Sequence, residues 1–488
     1  MKKYSRKQFI QMSAGTSVAL WLAACGVDGG SEEKGISTKT KPAPANLPDK
    51  AADKPAVELI DKNDARYDAL RKGFNTRIDK KPLIIALCKT TEDVAEAVRY
   101  AKAKGLPVAV KSGGHCMEGY SCNDDGMVIN LSMMNKIEWL EDGKIKAGPG
   151  CLLSHVYDEI LPKGVILPAG SCATVALGGL TLGGGYGIFS RKHGLTCDHL
   201  LEATMVDGNG NIVSTKDDEE LLWALRGGGT GNFGIVTEMV YRTHEAPKTL
   251  QAHYLKARKL DAERAASILQ KWMEVTAKLP AECFSGYVLN GSTLNILITN
   301  YGEHSVVFQE LLKELAGVMD QFRSSSRGDL QRMLRNYYGV GKPLYFRNSS
   351  AGFFKGYADV EPFIKDALAK VVATPGMIYQ VNTLGGKVRD AAAEKGSCFP
   401  HREYEFVSEI QAYSTSVTQH ERTAVCTTEV LKLTKQSGIN TQYVNYCSAE
   451  FEDWEHAYYG ENYRRLQAIK KKYDADDVIR HPQSVRVG

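Results

Sequence analysis

The stretch Trp223-Ala224-Leu225-Arg226-Gly227-Gly228-Gly229-Thr230-Gly231-Asn232-Phe233-Gly234-Ile235-Val236 decides between two ways of building a nucleotide site. It holds the pattern GxGxxG at Gly229, Gly231 and Gly234. A dinucleotide fingerprint must follow a strand and open a helix, so that phosphate meets the helix N-terminus. Here the order is reversed: Glu219 to Leu225 reads as a helix before the glycines, and Ile235 to Tyr241 as a strand after them. A doubly wound nucleotide fold is therefore rejected. Two further glycine stretches stand upstream, Ser112-Gly113-Gly114-His115 and Gly178-Gly179-Leu180-Thr181-Leu182-Gly183-Gly184-Gly185-Tyr186-Gly187. Three such loops offer backbone N–H groups unshielded by side chains, able to approach a ligand closely and cradle phosphates. The plain alternative is tight turns alone.

The chain of 488 residues, 43% hydrophobic and 24% charged, has the balance of a folded protein of two or three domains, or of one lobe inserted into another. Its net charge of +4 equals the excess carried by Lys2, Lys3, Arg6 and Lys7, so the body beyond them is neutral and has no electrostatic footprint for nucleic acid. The N-terminus reads as an address: a basic start, an apolar run from Phe9 to Ala24, and the close Leu22-Ala23-Ala24-Cys25. Residues 1–25 are expected to be a signal peptide with a lipobox, making Cys25 a lipid anchor at the cell envelope and the only membrane contact. Ser5-Arg6-Lys7-Gln8-Phe9-Ile10 also resembles a twin-arginine export signal with lysine at the second basic position. Residues 26–55, rich in Gly, Ser, Lys, Pro and Ala, are expected to form a flexible linker. Eleven cysteines include no CxxC pair, and Cys116 and Cys122 lack histidines at zinc-site spacing, so no metal is expected.

Within the body, Thr90-Thr91-Glu92-Asp93 opens an apolar pattern at Val94, Ala97, Val98 and Ala101 that stops at Gly105, the mark of a capped amphipathic helix. Short strands are expected at 106–110 and 127–131, and hairpins about Asp142-Gly143 and Gly208-Asn209-Gly210. From about Leu250 longer helices are expected, at 262–279 and 306–322, alternating with strands such as 294–301. The expected class is α+β.

Several further stretches resemble the berberine-bridge-enzyme-like flavoprotein oxidases. They are Lys111-Ser112-Gly113-Gly114-His115, Asn130-Leu131-Ser132, Pro168-Ala169-Gly170-Ser171-Cys172-Ala173-Thr174-Val175-Ala176-Leu177-Gly178-Gly179, and the Gly183 to Gly187 loop with Arg191 and Gly194. The similarity continues through Trp223 to Val236 and returns at Tyr443-Val444-Asn445-Tyr446, Trp454, Tyr458-Tyr459-Gly460 and Pro482-Gln483-Ser484. It is weakest across the middle of the chain. The resemblance implies a vanillyl-alcohol-oxidase-type (PCMH-type) FAD-binding domain, residues 56–245 completed by 441–488, with an inserted α+β substrate domain at 246–440, an antiparallel sheet flanked by helices. It implies FAD held by two covalent bonds, from His115 to the 8α-methyl and from Cys172 to C6 of the isoalloxazine. Imidazole and thiolate are nucleophiles fit for that attack. The other cofactor-binding positions it implies are Ser112, Gly113, Gly114, Gly119, Thr174, Val175, Gly178, Gly179, Thr181, Gly183, Gly184, Gly185, Tyr186, Gly234, Val236 and Asn445.

The implied reaction moves hydride from a C–H to flavin N5 while a base removes the proton of the adjacent hydroxyl. Tyr446 of the YxNY motif is one candidate base, if a nearby positive charge lowers its pKa, with Tyr443 beside it. The other is Glu409 on the strand after Phe399-Pro400-His401-Arg402, with Gln411 pointing to the same face. Val175 lies at the position that lines the oxygen pocket in the family, where valine goes with oxidases and leucine with dehydrogenases; molecular oxygen is thus the expected acceptor and hydrogen peroxide the product. The expected substrate is a sugar hemiacetal, such as an oligosaccharide, or another alcohol. Oxidation or cyclisation of an amine, alkaloid or secondary metabolite, a dehydrogenase with another acceptor, and a non-catalytic surface lipoprotein are the alternatives.

Overall fold

The computed structural model describes residues 55–339, 341–414 and 416–488. The expected signal peptide, the lipobox cysteine Cys25 and nearly all of the expected linker lie outside the described residues.

The fold is α+β, built among the described residues on three larger sheets and a two-stranded ribbon of Val165–Ile166 with His244–Glu245. A mixed four-stranded sheet runs in the order Glu58–Ile60, Ile84–Leu87, Met127–Asn130, Val108–Lys111, with the last three strands parallel. The helix Thr91–Ala103 makes the crossover from Ile84–Leu87 to the parallel strand Val108–Lys111, the two strands that flank Met127–Asn130. Thr90 and Asp93 form its capping box, and Val94, Ala97, Val98 and Ala101 bury its apolar stripe. An antiparallel five-stranded sheet follows, ordered Ile137–Trp139, Lys144–Ala147, Ile235–Arg242, Leu200–Val206, Ile212–Ser214. Its first hairpin turns through Asp142 and Gly143, both at positive φ (58° and 65°). The helix Glu219–Leu225 precedes the glycines and the strand Ile235–Arg242 follows them, the order that excludes a Rossmann site.

The third sheet is antiparallel throughout, ordered Gln321–Ser324, Thr249–Ala257, Thr293–Asn300, Cys283–Asn290, Met377–Thr383, Phe406–Tyr413, Phe346–Phe354. One face is covered by the helices Ala262–Thr276, Val306–Ala316, Tyr357–Ala373 and Val417–Gln436, whose Trp272, Phe308, Ile364 and Val430 share a core with Tyr287, Tyr379 and Ile410. The helix expected to run to Phe322 ends at Ala316. Gly317 follows it, and the Asp320 N–H donates to the Lys256 carbonyl, so the sheet edge captures Gln321–Ser324 as a strand.

The C-terminal segment returns to the first half of the chain. Val108 bridges Ile479, and Tyr458, Tyr459, Leu466 and Tyr473 join the core that holds Leu177, Trp223 and Phe233. That return brings residues near 445 against the glycine loops.

Candidate active site

A cavity of about 390 Å³ opens between the glycine loops on one side and the third sheet on the other. This size is ordinary for small-molecule and cofactor sites. His115 and Cys172 both line it. His115 Nε2 shares a 2.9 Å hydrogen bond with Thr174 Oγ1, and its ring stacks on Phe74 at 4.3 Å between centroids. Burial pushes the imidazole down to about 4, so at ordinary pH it is neutral and keeps a nucleophilic nitrogen. Cys172 Sγ lies 4.0 Å from the same Thr174 hydroxyl, and burial pushes the thiol up. One threonine thus stands between two nucleophiles that are far apart in sequence.

Ser112, Gly113, Gly114, Val175, Gly178, Gly179, Tyr186, Gly234, Val236 and Asn445 also line the cavity. At Gly179 an added Cβ would meet nothing nearer than Thr230 Cγ2 at 3.9 Å, so the missing side chain leaves room on the cavity side. Gly119, Thr174, Thr181, Gly183, Gly184 and Gly185 are not on the wall. Gly119, at φ 66°, lies against Ile78, whose Cγ2 would be 2.4 Å from a Cβ. Thr181 is buried and its hydroxyl bonds Tyr241 at 2.7 Å. The three glycines instead face neighbouring protein. Asn445 occupies the space a Cβ at Gly183 would need, Phe399 crowds Gly184, and the Gly185 N–H donates to the Tyr443 oxygen at 3.0 Å. Glycine is required in this run for close approach of protein to protein.

Tyr443 lines the cavity and also holds the loop in position. Its oxygen accepts from Gly185 N and from Asn445 Nδ2, both at 3.0 Å, while Asn445 Nδ2 also reaches the Leu180 carbonyl at 3.1 Å. Tyr446 presents its phenol toward the sheet, 2.6 Å from the Tyr186 oxygen. Tyr186 in turn accepts from Asn382 Nδ2 at 2.9 Å. The positive charge expected near Tyr446 is not what acts on it: burial first, then the charge of Glu409 and neighbouring phenols, push it well above the ordinary tyrosine value.

The sheet wall follows from strand alternation. On Phe406–Tyr413, Phe406, Ile410 and Ala412 point into the helix-covered core, while Glu409, Gln411 and Tyr413 face the cavity. On Met377–Thr383, Tyr379 and Val381 point inward and Gln380 and Asn382 outward. The register places Gln380 directly opposite Glu409, with Asn348 opposite Gln411. Glu409 Oε2 accepts from Asn348 Nδ2 at 2.7 Å. Burial raises the Glu409 carboxyl to about 7, against the lowering effect of Asn348 and Gln411. Gln380 Nε2 donates to Asn382 Oδ1 at 3.2 Å, and Tyr413 donates to Gln411 Oε1 at 3.0 Å. Asn348, Gln380 and Asn382 escaped the sequence reading, as did the pairing of Tyr186 with Tyr446. For Gln380 and Asn382 the signal is their alternation with Tyr379 and Val381 along the strand Met377–Thr383.

A family profile described as "FAD binding domain" matches residues 82–216, and one described as "Berberine and berberine like" matches 442–486. Berberine bridge enzyme-like 4 of Arabidopsis thaliana is 30% identical over 474 residues, covering 85% of this chain and 86% of its own. Glucooligosaccharide oxidase of Sarocladium strictum is 28% identical over 88% of this chain and 92% of its own. The solved glucooligosaccharide oxidase of Acremonium strictum superposes with a TM-score of 0.77 at 25% identity, over 90% of this chain and 97% of that one. The chain belongs to the berberine-bridge-enzyme-like family of FAD-linked oxidoreductases. The residues present fit the cofactor: a neutral imidazole and a thiol share one rim, Gly179 leaves that wall open toward the cavity, and among the described residues the hydroxyls of Tyr120 and Tyr337 at the wall find no partner.

Proposed function

We propose that the protein is an oxidase of oligosaccharides, acting on the hemiacetal C–H of a sugar end and passing the electrons to oxygen. The observation that carries this reading is the sheet wall: Asn348, Gln380, Asn382, Glu409 and Gln411 converge on one cavity beside the Tyr446 phenol. A surface of alternating donors and acceptors suits a ligand covered in hydroxyls, because each buried polar group needs a partner. The relatedness to a glucooligosaccharide oxidase supports the same substrate class.

FAD would be held through His115 and Cys172, with Thr174 engaging His115 Nε2 and leaving Nδ1 as the nucleophile. When bound, FAD supplies the acceptor for hydride and delivers the electron pair to oxygen, giving hydrogen peroxide. The chain's own residues manage the proton. Glu409, with its carboxyl near 7, is matched to accept a proton at neutral pH, whereas Tyr446 is too high to exist as a free phenolate. Tyr446 orients the substrate hydroxyl, and the Tyr186 hydroxyl, itself accepting from Asn382, holds the Tyr446 phenol in place through their shared hydrogen bond. Val175, on the wall beside Cys172, leaves space for oxygen. Residues 56–245 and 441–488 would serve the flavin and 246–440 the substrate. The N-terminal signal would export the protein to the cell envelope, tethered through Cys25; a mature N-terminus found at lipid-modified Cys25 in the membrane fraction tests this.

Acid precipitation of wild type, His115→Ala, Cys172→Ala and the double variant tests the links: yellow colour is expected to stay with the pellet in all but the double. Peroxide release on cello-, malto- and chito-oligosaccharides against benzylic amines tests the substrate. Turnover of the amines alone overturns the sugar reading, and absence of flavin from the native protein overturns the enzyme.

A further inference from the structure

Two thiols line the same cavity without any part in the chemistry above. Cys116 Sγ lies 3.7 Å from Cys447 Sγ, across 331 residues of chain. Cys116 directly follows His115, and Cys447 directly follows Tyr446. Both are free thiols. A disulfide needs about 2.0 Å between sulfurs, so closure must draw these two facing sulfurs further together. Cys122, the nearer cysteine in sequence, is not the partner: its Sγ is turned onto the Asn123 and Lys80 carbonyls.

From this geometry we infer that Cys116 and Cys447 form a peroxide-sensitive dithiol that closes to a disulfide, stapling the loop of the flavin-side histidine to the loop of the active-site phenol. The oxidant is hydrogen peroxide; only its origin in this cavity rests on the oxidase reading. The pair is asymmetric in the way such chemistry needs. Cys116 Sγ faces the Cys447 thiol and accepts from the Tyr120 N–H at 3.2 Å, both of which lower its pKa, while Cys447 is held protonated. Cys116 is therefore the attacking thiolate. Its sulfur bonds one peroxide oxygen, the O–O bond breaks, and the other oxygen leaves as water with the proton that Cys116 has released, giving a sulfenic acid oxidised by two electrons. Cys447 sulfur then bonds Cys116 sulfur, the S–O bond breaks, and the hydroxyl leaves as a second water with the Cys447 proton. Two thiols and one peroxide become one disulfide and two waters.

The test uses the resting, flavin-loaded full chain and added peroxide, so its outcome does not depend on substrate or on oxidase turnover. After exposure, alkylation and non-reducing digestion, a peptide joining Cys116 to Cys447 is expected, lighter by two hydrogens than the two free peptides and lost on treatment with dithiothreitol. In Cys447→Ser, dimedone is expected to trap Cys116 sulfenic acid at least tenfold more than in wild type. Recovery of both cysteines as free thiols, a Cys116–Cys122 crosslink, or Cys116 found as sulfinic acid beside a free Cys447 would each overturn the inference.

Discussion

The wall that carries His115 and Cys172 is made of backbone and small residues, whereas the wall facing it is made of long polar side chains on regular strands. The first wall uses glycine in two distinct ways. Gly179 leaves its surface bare toward the cavity, whereas Gly113, Gly114 and Gly178 bring backbone against Ala176, Lys111 and Ser112, and Gly183 lets Asn445 of the Tyr443–Tyr446 segment dock against its back. The second wall obtains its chemistry from register: antiparallel pairing of three strands places Asn348, Gln380, Asn382, Glu409 and Gln411 on one face while the other face is sealed by helices. A bare wall suits a large cofactor that must lie close to backbone. A wall of side chains suits a smaller, exchangeable substrate, since single residues can change without moving the sheet.

If that division of labour holds, the largest separable effect belongs to Glu409→Gln. Its kcat/KM is expected to fall about 10²- to 10⁴-fold, and the wild-type rise in rate as pH increases through about 7 is expected to vanish, while acid-stable flavin colour is unchanged. Loss of the colour along with the rate would break the comparison.

The same carboxyl gives a stability signature. Its value in the fold is raised from 4.5 to about 7, so the neutral form favours the folded state; the contribution is full below pH 4.5 and lost as pH rises through 7. Between pH 5 and 8 the wild type is expected to lose roughly 2–3 kcal/mol relative to Glu409→Gln, read from denaturant midpoints at each pH.

On the other wall, Gly187→Ala places a Cβ 2.2 Å from the Ala169 carbonyl oxygen. Backbone cannot yield as a side-chain tip does, and a loss of about 1–3 kcal/mol is expected in thermal or denaturant unfolding. The smallest effect is at Val175. Val175→Leu is expected to slow reoxidation by oxygen about tenfold, near 1.4 kcal/mol in barrier, with substrate-driven flavin reduction unchanged in stopped flow. Equal reoxidation rates would remove Val175 from the oxygen path.

The loop wall was legible in the chain because glycine runs, a histidine and a cysteine in fixed local contexts need no partner to be recognised. His115, Cys172 and the YxNY segment all stand in contiguous stretches. Glu409 and Gln411 were legible as a same-face pair, since alternation along one strand is local. Asn348, Gln380 and Asn382 were not, because a polar residue on a strand becomes a cavity residue only when register sets it opposite another. The glycines of 183–185 look like ligand loops for the same reason: sequence shows that a side chain is missing but not what fills its place.

By itself, then, the sequence determined the reversed glycine order, the class of fold, the two nucleophiles and the phenol, all properties of short segments governed by backbone freedom and side-chain reactivity. Only the tertiary structure decided that Tyr446 meets Tyr186 and the charge of Glu409 rather than a cation, that Tyr443 supports the loop, and that Cys116 faces Cys447. These are contacts between residues hundreds of positions apart. They depend on how the C-terminal segment packs back into the core of the first half, which no local pattern encodes.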